Sequence, residues 1–178
     1  YPPFLIVFGV LRAWVAYNLY TVIHFFMAGA FTYLLARTLR LSRGAALVAG
    51  LCYMLCGPIV AHTHHTNIVV GIAWLPLLLA LIEWGFRRGS LAPALLFAFA
   101  TAAVILGAQP QYTLYNAVAC GIFLLWRMAL PPANGAQRRR AGRRALLLGG
   151  AFGAAALLAV GISAVQLLPL AELTGRSS

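Results

Sequence analysis

Three of the chain's four histidines lie close together, in the stretch AHTHHTN at residues 61–67. Imidazole side chains bind metals and move protons near neutral pH. His62, His64 and His65 therefore raise two hypotheses. The stretch is either a metal or catalytic site, or the polar tip of a turn between two apolar segments.

A metal site needs at least three well-aimed ligands, usually with a fourth group or water. In a helix, His62 and His65 share a face while His64 points away, and in an extended strand His62 pairs with His64 instead. Neither geometry gives three ligands, and no carboxylate is near in the sequence. With Asn67, the histidines are better interpreted as a hydrogen-bonding rim that contacts phosphate or sugar hydroxyls, or only solvates a turn. We expect no cofactor, and a divalent metal stays an open alternative.

Other polar residues precede or follow apolar segments. Gln109 and Gln111 flank Pro110 in GAQPQ, and Gln166, Glu172 and Arg176 follow one another near the end of the chain. If the apolar segments form one bundle, these turns converge on a single surface with the histidines. The predicted substrate-binding residues are His62, His64, His65, Asn67, Gln109, Gln111 and Arg176.

Two polar residues fall inside apolar segments, where an unpaired polar group is costly. His24 is predicted either to hydrogen-bond a neighbouring helix or to face a cavity. Glu83 has Arg87 four residues later, the spacing of an ion pair on one helix face.

Composition places the chain in a membrane. Hydrophobic residues make up 63% and charged residues only 8%, whereas roughly a quarter of residues are charged in soluble domains. The net charge is +11, but eleven arginines fall in three clusters between apolar runs, as in cytoplasmic loops. This distribution argues against a nucleic-acid partner. Three cysteines without a C-x-x-C pair predict neither a disulfide framework nor a zinc site.

A bilayer core about 30 Å thick needs roughly 20 apolar residues per helix. The predicted fold is an all-α, polytopic transmembrane helical bundle with about six spanning helices, in a domain over residues 16–170. The predicted spans are residues 16–36, 44–61, 68–86, 91–106, 112–128 and 145–168. Residues 129–144 are predicted as a basic cytoplasmic loop and residues 171–178 as an outer tail. The histidines then lie on the outer face and the arginine clusters in the cytoplasm.

Residues 1–15 are apolar but short, and are predicted to be an outer juxtamembrane or re-entrant segment. Because the chain starts at Tyr1 and ends soon after an apolar run, we expect an internal fragment of a longer protein. Gly149 with Gly153, and Ala46 with Gly50, have the small-x-x-x-small spacing that lets helices approach closely. Pro58 and Pro76 are expected to bend the second and third spans.

Three motifs follow one another along the chain: the run from HFFMAGAFTYLL to LLLALIEW, then GAQPQYTLY, then QLLPLAELTGRSS. Their order resembles the YfhO-like bacterial membrane proteins of the GT-C class of glycosyltransferases. The resemblance covers nearly all of the chain after Tyr20. One departure is the second outer turn, where the family often has Gly-His-Pro-Gln and this chain has Gln109 before Pro110.

The resemblance implies an enzyme of the bacterial cytoplasmic membrane. It would take a sugar from a polyprenyl-phosphate donor on the outer face and pass it to a cell-envelope glycan acceptor. The family's catalytic acid is expected on a first outer loop that this chain does not include, and the chain contains no Asp. The alternatives are a transporter of lipid-linked substrates and a non-catalytic scaffold subunit.

Overall fold

The computed structural model of the chain covers residues 1–129 and 135–176, without the side chains of residues 2–4, 135–141, 170, 171 and 173–176. Over these residues the chain is helical with no strand, which confirms the predicted all-α helical bundle. A helix satisfies its own backbone hydrogen bonds, as a chain in lipid must. The helices are α1 Pro2–Val10, α2 Ala13–Thr38, α3 Arg43–Met54, α4 Gly57–Ala61, α5 Thr66–Arg88, α6 Ala92–Gly107, α7 Pro110–Ala129, α8 Gly135–Ile162 and α9 Ala164–Arg176.

Within the described residues, four stretches of helix are long and apolar enough to cross a membrane by length and composition: Ala13–Thr38, Arg43–Ala61, Thr66–Arg88 and Gly142–Ile162. Helix α6 is also apolar but shorter. Large apolar side chains point outward from the bundle, and Phe26, Leu157 and Val165 are each at least 70% exposed. A surface of this kind fits lipid contact, and the chain has the helices of an integral membrane protein. Six crossings remain a prediction.

Two of the predicted spans are interrupted. The second divides at Leu55 and Cys56 into α3 and α4, and Pro58 lies in the first turn of α4, where its missing N–H costs no helical hydrogen bond. It therefore begins a new helix and does not bend a continuous one. The sixth is divided at Ser163, between α8 and α9. Pro76 lies inside α5, which continues through it.

Three segments that the sequence placed outside the spanning helices are helical in the structure. Residues 2–10 form α1, which ends where Leu11 is extended. Within the predicted basic loop, residues 135–144 are the first turns of α8, since arginine and alanine both favour helix. Within the predicted outer tail, residues 171–176 continue α9.

Helix α5 lies at the centre of the bundle and contacts α2, α4, α6, α7 and α8. One apolar cluster joins α5 to α6, α7 and α8, with Phe152 of α8 packed edge-on against Phe97 of α6 at 5.3 Å between ring centroids. A second cluster joins α5 to α2 and α4 around Ile59. The central helix therefore holds both halves of the bundle.

Small residues decide how closely some helices approach. A Cβ added to Gly50 would lie 2.7 Å from the carbonyl oxygen of Gly29, so α2 and α3 touch through their backbones. Gly149 is crowded by Met128 of α7, whereas a Cβ on Gly153 would meet nothing within 4 Å. The predicted glycine pair of α8 is thus a packing contact at Gly149 only.

The helices alternate in direction, so the bundle has two distinct ends. The histidine end carries the start of α2, α5 and α7. The arginine end carries the C-termini of α2, α5 and α7. There Arg87 donates to the carbonyl of Thr38, and Arg144 donates to the carbonyl of Arg88 at 2.9 Å. Gly89 closes α5 in the left-handed conformation at φ 60°, with its N–H on Gly85.

Glu83 has a different partner from the one that its spacing predicted. Its Oε2 lies 2.8 Å from Nε of Arg127 on α7, and both side chains are largely buried. Arg87, four residues along the same helix, donates to the end of α2 instead. Tertiary packing between α5 and α7 therefore overrides the helix-face pairing.

Candidate functional site

The histidine stretch is a tight turn between α4 and α5. His62 ends α4, and its Nδ1–H donates to the carbonyl of Pro58 at 2.8 Å. His65 begins α5, and its backbone N–H donates to the carbonyl of His62 at 2.8 Å. Both bonds join residues only three or four positions apart, so they stabilise the turn locally. We call residues 62–67 the histidine turn.

Two of the three imidazoles are free to meet a ligand. His64 and His65 are exposed, and the ring centroids of His62 and His65 are 6.3 Å apart. With its Nδ1–H committed to Pro58, a neutral His62 offers only an acceptor at Nε2, which suits a hydroxyl donor. In the charged form the same atom donates, which suits phosphate. Within the described residues, no three His, Cys, Asp or Glu side chains lie together as a metal-ligand set.

The turn that carries Gln109 and Gln111 lies beside the histidine turn. The backbone N–H of Gln109 donates to the carbonyl of Asn67 at 3.3 Å. The side chain of Gln111 is exposed in the first turn of α7 and donates to the hydroxyl of Tyr115. The structure therefore brings Gln109 to Asn67, as the sequence predicted, and holds Gln111 on the adjoining helix face.

Close packing below these turns sets their position. A Cβ on Gly71 would lie 2.6 Å from the Cβ of Tyr112, so the first turns of α5 and α7 are in direct contact. Asn116 is buried on α7, and its Nδ2 donates to the carbonyl of Gly71 at 2.8 Å. This bond joins α7 to α5 beside their close contact at Gly71.

Helix α2 also reaches the histidine turn. The hydroxyl of Tyr17 donates to the carbonyl of Thr63 at 2.9 Å, which joins the start of α2 to the turn. The predicted site residue Arg176 lies on the last turn of α9, and its side chain is outside the described residues. Gln166, also on α9, is exposed.

A largely apolar cavity of about 320 Å³ lies between α5, α6, α7 and α8. Phe97 lines it towards the arginine end and Ile105 towards the histidine end. Thr113 lines it too, and its hydroxyl lies 3.5 Å from the carbonyl of Gln109, so the cavity reaches the second turn. The hydroxyl of Thr101 in the cavity wall has no hydrogen-bond partner among the described residues. The sequence carried no signal for this cavity, because its walls come from four helices.

His24 has a packing role. Its Nδ1–H donates to the carbonyl of Tyr20 at 2.7 Å, so Nε2 of a neutral ring accepts from the hydroxyl of Tyr1 at 2.8 Å. Trp74 of α5 in turn donates its indole N–H to the Tyr1 oxygen at 3.0 Å. Burial raises the pKa of the Tyr1 hydroxyl to about 12, which keeps it a donor. Sequence reasoning missed Tyr1 and Trp74, since aromatic residues in apolar segments carry no signal of a polar partner.

Comparison with known protein families, curated proteins and solved structures finds no match to this chain. The arrangement itself therefore carries the functional argument. Two adjoining polar turns form a rim at the histidine end, and one of them leads into an apolar cavity.

Proposed function

We propose that the chain is part of a glycosyltransferase-like protein of the bacterial cytoplasmic membrane that handles a polyprenyl-phosphate-linked sugar on the outer face. The observation that carries the proposal is the hydrogen bond between Gln109 and Asn67, which joins the two turns beside the apolar cavity. Such a substrate has an apolar chain, a phosphate and a sugar. In this proposal the apolar chain lies in the cavity, the imidazoles contact the phosphate, and the side-chain amides of the two turns contact the sugar.

The membrane orientation of this proposal follows from charge. Eleven of the thirteen arginines belong to the clusters of the arginine end. The positive-inside rule places such clusters in the cytoplasm. The histidine turn then faces outward, where a lipid-linked sugar donor and a cell-envelope glycan acceptor would meet.

The residues at the histidine end would bind and orient the substrate. His64 and His65, being exposed, would donate to phosphate when charged and would accept from sugar hydroxyls when neutral. Arg176 is proposed to offset phosphate charge. Of the chain's two carboxylates, Glu83 is paired with Arg127 near the other end of the bundle, so it offers no base here. As the family resemblance implies, the proposal assigns the general base to an acidic residue outside this sequence.

The test uses the full-length protein in nanodiscs with a radiolabelled polyprenyl-phosphate sugar. Replacement of His64 and His65 together by alanine should weaken donor binding at least about tenfold, because one hydrogen bond to a charged group is worth about 1.5–3 kcal/mol. Replacement of the exposed Arg43 and Arg143 together by alanine, at the arginine end, is the control double variant and should change binding less than twofold. Equal donor affinity for the histidine variant and the wild type would refute the proposal.

A second candidate is a carrier that moves the same lipid-linked substrate without bond chemistry. The interruptions at Cys56 and Ser163 favour it, because carriers often build their sites from discontinuous helices. Reconstituted full-length protein distinguishes the two. Movement of the donor across the bilayer without sugar transfer to any acceptor would support the carrier, and transfer without movement would support the enzyme.

A further inference from the structure

A second pocket opens at the arginine end, between the last turns of α2 and α5. Its volume is about 560 Å³. Thr38 and Trp84 form part of its wall. The other polar residues that line it are the arginines Arg37, Arg40, Arg87 and Arg88. No residue of the histidine end belongs to it, so this pocket is separate from the proposed sugar-handling site.

The charge in this pocket is not neutralised by acidic groups. The ion pair in the described part of the chain joins Glu83 to Arg127, and neither residue lines the pocket. The two helix C-termini beside it contribute about half a negative charge each. Four guanidinium groups against those dipoles leave about three positive charges, so an anion is favoured.

Helix capping alone does not account for these arginines. Arg37 donates to the carbonyl of Leu41 at 2.5 Å, and Arg87 donates to that of Thr38. Each uses one of the five N–H donors of a guanidinium group. The side chain of Arg40 has no hydrogen bond within the described residues. Most of the donors that face the pocket are therefore available to a ligand.

Two further features make the pocket amphiphilic. The guanidinium of Arg88 lies over the ring of Trp84, 5.0 Å from its centroid, as in a cation–π contact. Leu34, one turn before Thr38, extends the lining towards the apolar part of α2. Charged and apolar surfaces thus adjoin.

We infer that this pocket binds the phosphate of an anionic membrane lipid. The guanidinium groups of Arg40 and Arg88 donate to the phosphate oxygens, and the lipid chains lie along Leu34 and Trp84. Basic pockets between membrane helices bind such headgroups, because arginine matches phosphate geometry in a bidentate way. A soluble phosphate would use the guanidinium groups but not the apolar wall.

The experiment measures lipid affinity of the full-length protein by native mass spectrometry, with phosphatidylglycerol and phosphatidylcholine as the two probes. Wild-type protein should bind phosphatidylglycerol more tightly. The double variant R40Q/R88Q should lose at least about tenfold of that affinity, because both guanidinium groups that donate to the phosphate are replaced by neutral amides. R12Q/R143Q removes the same charge from exposed positions outside the pocket and should change affinity less than twofold.

Three results would overturn the inference. One is equal affinity for the two lipids, and another is an equal loss in both double variants, which would indicate a non-specific charge effect. The third is displacement of phosphatidylglycerol by millimolar inorganic phosphate, which would assign the pocket to a soluble anion. R40K/R88K keeps the charge without the planar fork and should give intermediate affinity, which separates a lost site from a misfolded protein.

Discussion

The ion pair between Glu83 and Arg127 allows a quantitative test of how α5 and α7 are held together. The charged atoms lie 2.8 Å apart, and the side chains of Glu83 and Arg127 are 8% and 19% exposed. At an effective dielectric constant of about 20, the Coulomb attraction is about 6 kcal/mol. Desolvation of each ion opposes it by several kcal/mol. We therefore expect a net coupling energy of about 1–3 kcal/mol.

Removal of one partner should cost more than the coupling energy, because it leaves a buried charge alone. We expect R127Q to lower the free energy of unfolding by about 4–5 kcal/mol and E83Q by about 3 kcal/mol. The asymmetry arises because a freed Arg127 keeps some solvent exposure and stays near the rings of Phe86 and Trp126, at 5.6 and 5.9 Å. The carboxylate of Glu83, freed in R127Q, has less solvent exposure and no such favourable ring contact.

The assay is reversible unfolding in bicelles for the two single variants and the double variant. A second cycle pairs E83Q with R87Q, the partner that helix spacing favours. It should show coupling below about 0.5 kcal/mol, because Arg87 donates to α2. The reasoning is refuted if the Glu83–Arg87 cycle shows the larger coupling, or if E83Q is the more destabilising single change.

Two glycine substitutions test the packing and the cavity. Gly50→Leu should lower the unfolding free energy by about 1–3 kcal/mol, because its Cβ meets the Gly29 carbonyl. A Cβ at Gly44 meets nothing within 4 Å, so Gly44→Leu should be near neutral in the same unfolding assay. Gly153→Leu places a side chain in the cavity, so it should reduce binding of a polyprenyl-phosphate sugar several-fold with little loss of stability. Gly150→Leu, which lies outside the cavity, is its control in the same binding titration, and equal effects of the two leucines would count against a lipid chain in the cavity.

Much of the fold could be read from periodic and compositional signals. A chain that is 63% hydrophobic, with clustered arginines between long apolar runs, is typical of membrane helices. A helix satisfies all its backbone hydrogen bonds within one segment, as lipid requires. Ser42 directly precedes α3 and is a residue type preferred at helix N-termini, and its hydroxyl accepts from the N–H of Ala45 at 3.2 Å. Signals of this kind are local, and local structure follows from them.

The interruptions were harder to predict. Pro58 was expected to bend a helix, but the helix ends earlier, at Met54, and a new one starts at Gly57. Ser163 was expected inside a continuous span, yet it is buried between two helices with its hydroxyl 3.5 Å from the carbonyl of Ala102. Such breaks depend on what the neighbouring helices can satisfy, which a single segment does not encode.

The candidate site shows the same division. The sequence placed the histidines in a turn and predicted that Asn67 and Gln109 would converge, because antiparallel helices bring alternate turns to one end. It did not predict that Nδ1–H of His62 would donate to the carbonyl of Pro58, nor that a cavity would reach Thr113. Both depend on contacts between elements.

By itself, therefore, the sequence determined the helical class, the membrane character and the segregation of arginine from histidine along the chain, because hydropathy and charge act on each segment separately. Only the tertiary structure decided which groups became partners. Glu83 pairs with Arg127 and not with Arg87, which is nearer in the sequence, and His24 accepts a hydrogen bond from Tyr1. In both cases the partner of a buried polar atom is the group that helix packing brings within bonding distance.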